Sequence, residues 1–412
     1  MFKKIATILA YLAIVLIPFY VFRFDIVGIR TNLLEVVVVL AFAFVAIDTT
    51  FTERKFKFGS YGPYVFLLLS VLATTYAHDN EKAVGILKGW FFVPVMYYLV
   101  VINLFRGKEK VIKLLSFLAV PTLLLSVWAI LQHFGIVTKL FYQVGNADLD
   151  QYLTAPIRAF GPFDSPNSLA MFLAPVICLL LIPINSIKKL AWRILSFISL
   201  AIPLSALYFT TSRASFLALL FAVFVFALIG YIKTRKVALM ALSIIFLLGV
   251  GLGLFLSIST NDPGRTASNT VRTRIYHYSI ELAGQNWLKG VGLGGYTAAI
   301  DKFTVNDVEF HTYNLSYAIH PHNVFLAMWL NLGLLGLLCF VALLIDFVRA
   351  AIKRLKSDQW RVATFVLMAM STIIIHGLFD TTYFKNDLSV IFWLIFGLIF
   401  LINSNDKNDQ KN

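Results

Sequence analysis

Residues 91–120 read FFVPVMYYLVVINLFRGKEKVIKLLSFLAV. One apolar run ends near Leu104, a turn carries Arg106, Lys108 and Lys110, and a second apolar run follows at once. About 20 apolar residues in helical form cross a bilayer, and a segment in lipid must satisfy its own backbone hydrogen bonds. The stretch therefore predicts two spanning helices joined by a short basic turn. The pattern repeats in both directions, with apolar runs near residues 5–22, 32–50, 61–77, 84–104, 111–131, 168–184, 190–209, 214–231, 237–258, 322–348, 361–379 and 388–403. The expected fold is all-α: a polytopic integral membrane protein of about twelve transmembrane helices, one membrane domain over residues 1–412. Composition agrees. Hydrophobic residues make up 59% of the 412 residues and charged ones 14%, against roughly 25% charged in soluble domains.

The basic residues orient the chain. Lys3 and Lys4, Arg54 to Lys57, Arg106 to Lys113, Lys188 to Arg193, Lys233 to Lys236, and Arg349 to Arg361 fall in alternate connections. Cytoplasmic loops carry such an excess, which predicts both termini inside. It also accounts for most of the formal charge of +14 without nucleic acid. The N-terminal run lacks a small-residue cleavage site and continues bulky through Pro18-Phe19-Tyr20-Val21-Phe22, so it is read as a first span and not a signal peptide. Cys178 and Cys339 lie inside apolar runs, which excludes a disulfide framework. Two outside segments are long: residues 132–167, and a main extracytoplasmic loop at 259–321 before the tenth span. Residues 403–412 form a polar cytoplasmic tail.

The main loop carries Arg272 and Arg274 at the head of an apolar pattern of helical spacing (Ile275, Tyr276, Ile280, Leu282, Ala283, Trp287), which predicts a partly helical, amphipathic segment. Gly290 to Gly295 matches G-x-G-x-x-G literally, but no strand precedes it, so a glycine turn is the better reading than a dinucleotide site. The loop closes at His320-Pro321-His322-Asn323. Pro321 disfavours helix at His320, so His322 and Asn323 are expected in the first turn of the tenth span. Thr211-Ser212-Arg213-Ala214 turns tightly between the seventh and eighth spans, and Arg158 to Asn167 closes the other long loop. His376 and Asp380 stand near the last outside turn. Arg, His and Asn from distant segments thus gather on one side of the membrane. Lone arginines at a membrane edge commonly snorkel, and a histidine before a helix can simply cap it. Several arginines facing a histidine instead suit a phosphate-bearing substrate: Arg binds phosphate oxygens bidentately, and an imidazole, titrating near 6.5 when unperturbed, can take a proton from a hydroxyl. His311, His320 and His322 lie close in sequence, but no carboxylate or cysteine stands at ligand spacing, so no metal is expected. Asp148 and Asp150 are read as a solvated loop.

Thr211-Ser212-Arg213-Ala214, the run from Val271 to Tyr296, His322-Asn323-Val324-Phe325-Leu326 leading to Gly333 and Gly336, and Gly161-Pro162-Phe163 with Pro166-Asn167 occur in an order that resembles the O-antigen ligase and O-antigen polymerase superfamily of bacterial envelopes. The resemblance covers a core of residues 200–345. It implies a glycosyltransferase that moves a glycan from an undecaprenyl-diphosphate carrier onto an acceptor hydroxyl at the outer face of the cytoplasmic (inner) membrane, with no metal, cofactor or nucleotide. The implied partners are that donor, a glycan or lipid-anchored acceptor, and membrane lipids. Arg213 and a loop arginine would hold the diphosphate, and the His322 position would act as base. Arg272 and Arg274 compete for one family position, His320 could share or take the role of His322, and Trp287 stands where a proline is usual. Asn323, Arg158, Asn167 and Asp380 are candidate substrate-binding residues. Two other classes remain: a polyprenol-glycan flippase or exporter, which would need charges along a path through the spans, and a non-catalytic envelope-assembly scaffold, which would need no arginine–histidine cluster.

Overall fold

The computed structural model describes residues 1–52, 54–138, 149–154, 157–234, 249, 263–307 and 320–402. The span expected at 237–258 (Gly249 apart), the tail at 403–412, His311 and the middle parts of both long loops lie outside these residues.

The described chain is all-helical but for one hairpin. Its helices are α1 (Phe2–Leu16), α2 (Leu33–Phe51), α3 (Gly62–Thr75), α4 (Asn80–Ile86), α5 (Val93–Leu104), α6 (Lys108–His133), α7 (Pro166–Ser186), α8 (Leu190–Ser199), α9 (Ala201–Phe209), α10 (Arg213–Lys233), α11 (Pro263–Gln285), α12 (Tyr296–Phe303), α13 (Val324–Leu355), α14 (Trp360–Gly377) and α15 (Asn386–Leu401). A π-helical turn, Leu87–Phe92, fuses α4 to α5, and α8 meets α9 at Leu200. Among the described residues nine helical segments are long and apolar enough to cross a membrane; α3 and α15, at the expected positions 61–77 and 388–403, are apolar but shorter. The hairpin corrects a purely helical expectation. Strands β1 (Arg23–Ile26) and β2 (Ile29–Asn32) pair antiparallel around Val27 and Gly28, both at positive φ. Two successive residues of that kind make the hairpin turn whose twist matches the strands.

Side chains sort as a lipid solvent demands. Leu124 on α6, Phe224 and Leu228 on α10, and Leu335 and Leu338 on α13 are exposed, while α15 is apolar all round and buried along nearly its whole length. A helix of that kind belongs in the centre of a bundle. It packs against α5, α7, α13 and α14, and α14 packs in turn on α7 and α10. At 16 residues α15 spans only about 24 Å, less than the roughly 30 Å of hydrocarbon. The turn that leads into it is consequently sunk into the bundle: Asp380, Thr381, Thr382 and Tyr383 are all buried.

A helix break shapes the rim of this recess. Gly333 interrupts α13 with φ 72° and ψ −176°, and the loop after α11 docks into the gap. Val291 N–H donates to Leu330 O (2.6 Å) and Leu334 N–H to Trp287 O (3.0 Å). The approach requires glycine. A Cβ on Gly333 would lie 2.1 Å from Leu288 O, and one on Gly290 2.3 Å from Leu330 O. The glycine turn expected at 290–295 is thus the joint between the loop and the bundle. Above it, Ile275, Tyr278, Leu282, Tyr296, Ile300 and Leu330 form a small separate core, so the amphipathic helix lies on the bundle.

Candidate active site

The recess at the head of α13 collects the polar residues. Asn323 caps α13, its Oδ1 accepting from Phe325 N (2.9 Å) and Leu326 N (3.0 Å), while its Nδ2 donates to Leu378 O (3.2 Å). His322 lies outside the helix, at φ 50°, which corrects the expectation that it would sit in the first turn. A non-glycine residue in left-handed backbone is costly and persists where neighbours over-determine it. Here the neighbours are identifiable. The Tyr276 hydroxyl, on α11, lies 2.7 Å from His322 O and 3.1 Å from Leu378 O, its single proton available to either. Three non-glycine residues among those described have left-handed φ: Val27 at the hairpin tip, Thr211 and His322. The last two sit in the Thr211-Ser212-Arg213 and His320-Pro321-His322 motifs.

His322 Nδ1 stands 3.5 Å from Asp380 Oδ1 and His320 Nε2 3.9 Å from the same oxygen. These are ion-pair separations, at or beyond the limit of a hydrogen bond. The two imidazoles meet edge to face at 4.3 Å. Asp380 Oδ2 accepts from Asn167 Nδ2 (3.1 Å) and Oδ1 from Thr381 N (2.9 Å). Burial acts to raise the Asp380 carboxyl, but the His322 imidazole beside it, with His320 and His376, holds it well below the usual range. Burial, and His322 beside it, push the His320 imidazole down to about 3. Asp380 is therefore a carboxylate and His320 a neutral ring.

His320, His322, Asn323, Asn167 and Asp380, proposed separately from sequence, are thus one cluster. The arginines divide. Arg272 lies one helical turn before Tyr276, on the face that meets His322. The Tyr152 hydroxyl, raised by burial, is acted on by Arg158, Asp164, Asp380 and Arg272, so these charges surround one space. Arg274 lies on the face of Tyr278, whose hydroxyl donates to Asp307 Oδ2 (2.6 Å). Arg158 Nε and Nη2 donate to Thr210 O (3.2 and 3.1 Å), tying the first long loop to the turn that bears Arg213. Arg213 heads α10 three residues after Thr210, which Arg158 holds, and Arg158 acts on Tyr152 together with Asp380, so Arg213 stands at the same end of the bundle as Asp380.

Sequence reasoning missed the support beneath this cluster. Lys385 Nζ donates to Asp164 Oδ1 across 221 residues of chain, and Ser168 Oγ donates to the same carboxylate (2.5 Å). Desolvation opposes the Asp164 charge, but Lys385 and Ser168 hold its carboxyl below the ordinary value. No sequence signal joins these residues. Tyr276, by contrast, follows Arg272 at a helical spacing that could have been read.

The expectation that no carboxylate accompanies the histidines is corrected: His320, His322 and Asp380 bring three potential ligand atoms within 4.8 Å of one another. Their hydrogen bonding nonetheless suits a proton better than a cation. His322 N–H donates to His320 Nδ1 (3.4 Å), which leaves the proton of the neutral His320 ring on Nε2, the atom that would have to bind the metal.

Comparison with known families matches residues 198–341 to the family described as O-antigen ligase. This span includes Arg213, Arg272, the glycine joint and His322. No curated protein matches the chain. The family match supports the O-antigen ligase and polymerase superfamily, and with the apolar helices it describes a multi-pass membrane protein of polysaccharide biosynthesis.

Proposed function

We propose that this chain, with its O-antigen ligase segment at residues 198–341, transfers a glycan from an undecaprenyl-diphosphate carrier to an acceptor hydroxyl at the outer face of a bacterial cytoplasmic membrane. The observation that carries the reading is the His322–Asp380 pair, held in strained backbone with Arg272 near it. With Nδ1 turned to Asp380, the Nε2 of a neutral His322 is the proton acceptor. It takes the proton of the acceptor hydroxyl as the acceptor oxygen bonds to the anomeric carbon. The bond from that carbon to the diphosphate oxygen breaks, and its electron pair leaves on the diphosphate. Asp380 stabilises the imidazolium that forms; Arg213 and Arg272 neutralise the leaving group. Asn167, Asn323 and His320 shape the acceptor side, and Arg158 acts by fixing the Arg213 turn.

The test is incubation of the purified protein with a lipid-diphosphate-linked oligosaccharide. Chain growth on the donor alone means polymerase. Product that forms only after a lipid-anchored core sugar is added means ligase. If neither forms, while reconstituted vesicles move the donor across the bilayer, the flippase reading replaces this one. Transfer should also survive dialysis against EDTA; a loss restored by a divalent ion would give His320, His322 and Asp380 to a metal.

A further inference from the structure

At the end of the bundle opposite His322, α6, α7 and the α8–α9 segment border an open cavity of about 320 Å³, within the range of ligand sites. Ile112 and Ser116 of α6, Ile184 of α7, and Ser199, Leu200 and Pro203 line it. The cavity exists because α8 stands off the bundle. None of its residues is buried, and Trp192, Leu195 and Ile198 are largely exposed, although the segment Leu190–Phe209 is apolar enough for lipid. The lining is less polar than its composition suggests. Ser116, Ser186 and Ser199 each donate their hydroxyl to a carbonyl of their own helix at 2.7–2.8 Å, so these hydroxyl protons are already engaged, as suits a hydrocarbon occupant.

The mouth has the opposite character. Lys188 and Lys189, both exposed, follow directly on Ile187, which lines the cavity. Arg193 precedes Ser196 by three residues and Leu200 by seven, so it shares the helical face of two lining positions. Among the described residues no carboxylate lines the cavity. A basic collar over an apolar slot between transmembrane helices suits an acidic lipid headgroup above its own acyl chain. We propose that this slot binds an anionic diacyl phospholipid, one acyl chain between α6, α7 and α8 and the phosphate held by Lys188, Lys189 and Arg193.

The proposal is independent of the transferase reading and is tested by binding. The full chain, purified in detergent, is titrated with dioleoyl phosphatidylglycerol or dioleoyl phosphatidylcholine, and retained lipid is counted by native mass spectrometry. Each basic residue near an acidic headgroup contributes about fivefold. The wild type should hold phosphatidylglycerol over phosphatidylcholine by on the order of a hundredfold, and K188Q/K189Q/R193Q should remove that preference while eluting as a folded species. Ala119→Phe, which fills the slot from α6, should reduce retention of both lipids. Equal retention of the two lipids by the wild type would overturn the proposal, as would a triple variant that keeps the wild-type preference.

Discussion

His322 and Arg213 carry the sharpest expectations, because each has a role that only its own side chain can fill. His322→Ala should lower turnover by about 10²- to 10⁴-fold, the usual contribution of general base catalysis. His320→Ala should cost less, since His320 is a neutral ring that shapes the acceptor side and takes no proton in the reaction. Both variants should reach the membrane in normal amount, and equal losses would remove the distinction. Arg213→Lys should already impair transfer, because a point charge cannot reproduce a bidentate fork on a diphosphate. Each lost charge-assisted contact is worth about 1.5–3 kcal/mol, or roughly 10- to 150-fold in rate. Wild-type transfer by Arg213→Lys and Arg213→Ala alike would leave Arg213 as a membrane anchor. The depressed His320 imidazole, at about 3 against about 6.5 unfolded, gives a stability test. Between those values the unfolded chain binds the extra proton, so His320's contribution to stability is intact above pH 6.5 and is lost as pH falls toward 3. The Asp380 carboxylate acts in the same direction at lower pH, its contribution present above its unfolded value near 3.9 and lost through its lower folded one. Thermal melts in detergent from pH 7 to 4 should therefore fall less steeply in His320→Asn than in the wild type; parallel slopes would contradict the depression of the His320 imidazole.

The elements that hold these residues are joined at a few points, and the glycine joint is the most exposed to test. Gly333→Ala places a Cβ on a residue at φ 72° and within 2.1 Å of Leu288 O. Backbone at φ 72° and ψ −176° is nearly confined to glycine and costs an alanine about 1–3 kcal/mol, and the clash adds to that. The expected outcome is a lowered melting temperature together with lost transfer, because α11, which carries Arg272 and Tyr276, is positioned through this joint. A Gly333→Ala protein with wild-type melting and activity would show that the loop docks independently of the helix break. Helical spacing in the sequence already separates Arg272 from Arg274, since two residues of helix turn a side chain through about 200°. Which of those faces meets His322 depends on where α11 lies on the bundle.

For the whole molecule, the basic connections predict that the main loop faces outward. Cysteine substituted at Asn306 should react with an impermeant thiol reagent applied to intact cells from the periplasmic side. Labelling only after the inner membrane is permeabilised would invert the topology and the proposed face of the site. By itself the sequence determined the helical membrane architecture, most span positions, and the motifs at Arg213, Arg272 and His322. Those are properties of local composition: a bilayer reads the hydropathy of about 20 consecutive residues, and helical periodicity is set within a few turns. It did not determine the hairpin at residues 23–32, the displacement of α8, or the His322–Asp380 pairing. The first rests on two successive left-handed residues, Val27 and Gly28, which only one of them announces as glycine. The last two depend on how helices pack. Asp380 reaches His322 because α15 is too short to fill the bilayer and draws its leading turn into the bundle, and Lys385 reaches Asp164 across 221 residues for the same reason. Contacts between segments so far apart are fixed by the summed packing of the intervening helices, which no local pattern of residues encodes.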